Sequence, residues 1–138
     1  MWPLRVDISR PDMSSFLRRL GLVLVAFGPI GPAHAAPPVP LASGEYRFLM
    51  KDVEFPNLSG TPIRIVVSGR HVKIVSDSLD STAFPLGSIV DEGTIIWHSA
   101  TGQWIVGNKE SDGDAAEVGG CSEGPAVIDF VGNVYWWC

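Results

Sequence analysis

The sequence predicts an all-β domain behind an N-terminal signal peptide: a small antiparallel meander of about seven or eight strands, closed as a barrel or folded as a sandwich. Three observations lead there. From Ala36 to Cys138 no stretch keeps apolar residues at i, i+3, i+4 and i+7 for three turns, as an amphipathic helix would. Alternation of apolar and polar residues recurs instead. Between the alternating runs stand turn signals: Gly69-Arg70, Ala100-Thr101-Gly102 and Gly132-Asn133.

Residues 1–35 read as a signal peptide. Arg5, Arg10, Arg18 and Arg19 precede the apolar run Leu20 to Ile30, and the small-residue site Ala33-His34-Ala35 follows. An apolar run that short does not span a bilayer, which takes about 20 residues. The expected product is therefore exported to the periplasm or the medium, with no membrane insertion after cleavage. Residues 36–42 form a Pro-rich tether, APPVPLA, in which closely spaced prolines favour an extended chain. A single β domain, residues 43–138, follows.

The chain from Ala36 onward carries six Lys or Arg against thirteen Asp or Glu, a net charge of −7. Such a surface lacks the basic patch that nucleic acids require and is repelled by anionic membranes. Cys121 and Cys138 both lie in the exported part, where an oxidising compartment lets them pair. A bridge between them closes a loop of about 18 residues, worth about 3 kcal/mol by the chain-entropy model.

The elements follow in order. Tyr46, Phe48 and Met50 share one face of a first strand, and the shift of apolar parity to Val53 and Phe55 suggests a bulge near Lys51-Asp52. TPIRIVVSGRHVKIVSD is a hairpin about a two-residue type II′ turn at Gly69-Arg70, pairing Val67 with Val72 and Ile65 with Ile74. AFPLGSIVDEG is strand-like but interrupted by Pro85 and Gly87, with Asp91-Glu92-Gly93 read as a turn.

A three-residue loop at Ala100-Thr101-Gly102 pairs His98 with Trp104, which puts His98 and Trp104 on one face and Trp97 on the other. A two-residue loop at Thr101-Gly102 would put both tryptophans on the same face. In either register the hairpin is apolar on both sides, so either a second segment covers one side or one side is an aromatic lining. AVIDFVGNVYWWC closes the chain as a hairpin about Gly132-Asn133, with Val131 opposite Val134 and Phe130 opposite Tyr135.

The candidate ligand- or partner-binding residues are His98, Trp104, Gln103 and Trp97, for stacking and hydrogen bonding; no catalytic residue is assigned. Lys109 to Pro125 reads as a solvated acidic connection, since Asp112-Gly113-Asp114 with Glu117 fails the spacing of a calcium loop. His71 reads as a surface residue. No metal or cofactor is expected. These features predict a non-catalytic binding protein for an unknown protein or an apolar small molecule. An inhibitor of a basic cell-envelope enzyme is the alternative, on the net charge of −7 and a protruding Ser99–Trp104 loop. A hydrolase using His98 with Asp91 or Glu92 ranks after both.

Overall fold

The computed structural model describes residues 35–119 and 121–138. The predicted signal peptide therefore lies outside the described residues, save Ala35. Within them no helix is long and apolar enough to cross a membrane.

Seven strands form one closed barrel in chain order: β1 (Gly44–Asp52), β2 (Thr61–Ser68), β3 (His71–Ser76), β4 (Ile89–His98), β5 (Gln103–Gly107), β6 (Val127–Asp129) and β7 (Val134–Trp137). Every sequential pair is antiparallel. Closure is not. With an odd number of strands in an up-and-down meander, the first and last run the same way, and β1 pairs with β7 in parallel, Leu49 beside Val134 and Asp52 beside Trp137.

Period-two alternation sends one set of side chains inward. Phe48, Met50, Ile63, Ile65, Val67, Val72, Ile74, Ile95, Trp104, Val106, Ile128 and Tyr135 make a continuous core. A barrel this small has its interior filled by side chains rather than hollowed for a ligand. Each fully buried aliphatic side chain contributes about 1.5–3 kcal/mol of transfer free energy.

The β2–β3 hairpin has the predicted register, with Gly69 at φ 62° supplying the left-handed position of its two-residue turn. Four other expectations are corrected. No bulge occurs at Lys51-Asp52: β1 ends there, the Asp52 carboxylate accepts from the Glu54 amide at 2.7 Å, and Phe55 lies exposed in the following loop. Asp91-Glu92-Gly93 is not a turn but the interior of β4, and the irregularity falls opposite, between Ile74 and Val75 of β3. Glycine is required there because a Cβ on Gly93 would stand 2.6 Å from the Gly107 carbonyl oxygen of β5.

The third correction concerns the β4–β5 loop, which is four residues long, Ser99 to Gly102, and pairs Trp97 with Trp104 and His98 with Gln103. The Gly102 amide donates to the His98 carbonyl at 2.8 Å, and the His98 ring meets the Thr101 hydroxyl at 2.8 Å; these bonds widen the turn by one residue and bring both tryptophans to one face. In the fourth, the β6–β7 loop also has four residues, so that Asp129 pairs with Val134 and Ile128 with Tyr135. The Asp129 carboxylate accepts from the Val131 and Gly132 amides at 3.0 and 2.8 Å and so holds the wider turn.

The registers place the turns after β2, β4 and β6 at one end, called upper below, and the longer connections at the other, lower end.

Candidate functional site

The outer face of β4–β5 is covered. The connection 108–126 keeps Glu110, Asp114, Glu117 and Glu123 exposed, as its acidity predicts, but part of it turns through a short 3-10 helix, Glu110–Asp114, beside β4 and β5. Asp112 is only 8% exposed, and its carboxylate accepts from the amides of Asn108 and Lys109 at 2.7 and 2.9 Å. Beneath this cover Ile105 and Val127 are buried, on the side away from the core.

His98 belongs to this covered side and is 1% exposed. One ring nitrogen meets the Thr101 hydroxyl, and Nε2 lies 2.9 Å from the Ala115 carbonyl oxygen. The tautomer with the proton on Nε2 satisfies both: Nε2–H donates to Ala115 and the Thr101 hydroxyl donates to Nδ1. Both nitrogens are thus engaged within the protein. Asp91 and His98 lie seven residues apart on one strand, about 20 Å by strand rise, so they do not form a catalytic pair.

The other three predicted residues come together at the upper end. Trp97, Gln103 and Trp104 line a groove of about 390 Å³ between the β4–β5 tip and the β6–β7 turn. Phe130, Val131 and Trp136 form its second wall, and Pro40 stands at its edge. The rings are fixed by edge-to-face contacts: Trp97 on Trp104 at 5.2 Å, Phe130 on Trp104 at 6.2 Å, and Phe130 on Phe48 of the core at 6.3 Å. Aromatic pairs in this arrangement add about 0.5–1.5 kcal/mol beyond their burial, so the groove has rigid walls. Val131 at the turn tip is 96% exposed. Among the described residues, neither the Trp97, Trp104 and Trp136 indoles nor the Gln103 amide hydrogen-bonds to a protein group. Phe130, Val131 and Trp136 escaped the sequence reading because only the β5–β6 pairing, two residues long, carries them beside the tryptophans, and Pro40 because it lies in the segment before β1.

The lower end holds a second pocket, about 470 Å³, of different character. The Tyr135 hydroxyl donates to Asp91 Oδ2 at 2.7 Å, and Asn108 Nδ2 donates to Asp91 Oδ1 at 3.3 Å. Burial first, and the Asp91 charge second, hold the Tyr135 phenol far above the ordinary tyrosine range. The Cys121–Cys138 disulfide borders this pocket, with Cα atoms 4.9 Å apart and the partners separated by 17 positions in sequence. Glu54 lies beside the two sulfurs, but each sulfur is bonded to the other and offers no thiolate to a metal. On the remaining surface His71 bonds Glu92 at 2.9 Å, with Lys73 at 3.6 Å.

Fold and groove together define a class: a small closed β-barrel with a filled interior and an aromatic groove at one pole. Comparison with family models, with curated proteins and with solved structures finds no match.

Proposed function

We propose that the protein is a small exported binding module that takes an apolar ligand or protein segment into its upper groove and catalyses no reaction. The observation that carries this reading is the convergence of Trp97, Trp104, Phe130 and Trp136 on one groove, where the indoles of the three tryptophans and the Gln103 side-chain amide have no protein partner among the described residues. Ligand sites are concave, mostly apolar and preformed, with a few polar groups to set orientation. The disulfide supports an oxidising compartment and hence export.

The test is tryptophan fluorescence during titration with a hydrophobic dye, 8-anilinonaphthalene-1-sulfonate. Saturable binding is expected, weakened about tenfold or more by Val131→Asp, whose side chain enters the groove mouth. Because Val131 is exposed and outside the core, that substitution should shift stability by no more than about 0.5 kcal/mol. No saturable dye binding, or binding indifferent to Val131→Asp, refutes the reading.

A further inference from the structure

The segment before β1 has a two-sided pattern. Val39 and Leu41 pack against the core cluster at the upper end, while Pro37, Pro38 and Pro40 are exposed. Pro40 borders the groove of Trp97 and Trp104. The strap is anchored just beyond: the Tyr46 hydroxyl donates to the Ala42 carbonyl at 2.9 Å, and the Gly69 amide donates to the Ser43 hydroxyl at 2.9 Å. The predicted tether is thus seated on the barrel, and it brings a proline-rich stretch to the mouth of the one aromatic groove described above.

Proline chemistry matches what the groove offers. Consecutive prolines hold an extended helix of three residues per turn, with flat pyrrolidine faces and backbone carbonyls that have no internal partner. The groove supplies flat aromatic faces for the rings. It also supplies donors for the carbonyls, the indole N–H groups and the Gln103 side-chain amide, which have no protein partner among the described residues. Docking of such segments in aromatic-lined grooves costs little ordering entropy because the peptide is already extended.

Resting on the binding-module reading, we infer that the upper groove is a receptor for proline-rich extended peptide segments, and that residues 36–40 are its resident competitor in cis. The strap limits access by local concentration. With an intrinsic Kd of about 100 μM and an effective cis concentration of about 1 mM, typical of a short flexible connection, a peptide in trans binds about tenfold more weakly than to a groove freed of the strap.

The experiment uses the full chain and a variant carrying Pro37→Ser, Pro38→Ser and Pro40→Ser, which leaves Val39 and Leu41 in place. A synthetic peptide of sequence Ala-Pro-Pro-Val-Pro-Leu is titrated into each, read by tryptophan fluorescence and by the NMR shifts of the indole N–H groups. Saturable binding is expected, about tenfold tighter to the variant. It should weaken at least tenfold when the peptide prolines are replaced by alanine or when Val131→Asp is added to the variant. Equal binding of the proline and alanine peptides, or equal binding to the two chains, overturns the inference. Dye binding that is sensitive to Val131→Asp, together with no binding of the proline peptide, defeats this inference and leaves the binding-module reading standing. If neither probe binds, both fall.

Discussion

At the lower end of the barrel the polar groups answer one another: Tyr135 donates to Asp91, Asn108 donates to Asp91, Asp112 takes the amides of Asn108 and Lys109, and a disulfide ties the connection to the chain end. At the upper end the aromatic rings are locked to one another, yet the indoles of Trp97, Trp104 and Trp136 and the Gln103 amide have no protein partner among the described residues. The upper end thus sets free donors next to aromatic surface, whereas the lower end is organised around the bonded Asp91 and Asp112 carboxylates. The polar pocket is bonded into the fold, and the aromatic one is where we propose a ligand binds.

The contrast predicts that changes to groups already bonded within the protein act on stability and that changes in the groove act on binding. The largest effect is expected from Cys121→Ser with Cys138→Ser. By the chain-entropy model the loss is about 3 kcal/mol, measured by urea unfolding, and it should leave dye binding at the upper groove intact in the folded protein. Next comes His98→Ala, which removes a buried ring and orphans the Ala115 carbonyl beneath the connection. A cost of about 2 kcal/mol follows from burial and the lost hydrogen bonds, and calorimetry would register it as a lowered Tm. If dye binding falls while Tm holds, His98 serves the groove after all and the division between bonded groups and groove groups is broken.

Tyr135→Phe should cost about 1–2 kcal/mol near neutral pH, since it leaves a partly buried carboxylate with one partner fewer. It should also sharpen the comparison through pH. The folded phenol is held above the free value of 10.0, so its contribution is complete below pH 10 and declines as pH rises further, when only unfolded chains ionise it. In that range the native protein should lose about 1.4 kcal/mol more per pH unit than Tyr135→Phe. The smallest effect belongs to Glu92→Gln on the exposed surface. The His71 hydrogen bond lowers the Glu92 carboxyl below 4.5, so its contribution is present above that pH and is lost as pH falls through the folded value. The acid limb of the stability curve should be shallower in the variant, and the two curves should coincide in shape from pH 6 to 8.

What the residues disclosed depended on where their turns drew their hydrogen bonds. The β2–β3 hairpin was legible because Gly69 fixes its turn locally and strict alternation fixes its faces. At β6–β7 the carboxylate of Asp129 widened the turn and moved the register by two. The side-chain period of a strand is also two, so the shift leaves Ile128 and Tyr135 on one face, which is the inner one. At β4–β5 the shift was one residue, and that was enough to part Trp104 from His98 and pair it with Trp97. Trp97, Gln103 and Trp104 lie together at the groove, and His98 lies under a cover whose packing no periodicity announces. Composition made the 108–126 connection look solvated. Burial of Ile105 and Val127 beneath it outweighs the exposure of its carboxylates.

The parallel seam between β1 and β7 fixes the polarity of the whole molecule. Because neighbouring first and last strands run the same way, the strap enters at the groove pole while Cys138 sits at the opposite pole. Joining Cys138 back to Gly44 would take a linker as tall as the barrel wall, about 30 Å for a nine-residue strand, so this fold resists circular permutation with short connectors. Conversely, a molecule immobilised by its lower pole points the aromatic groove outward, an orientation suited to capture at a surface.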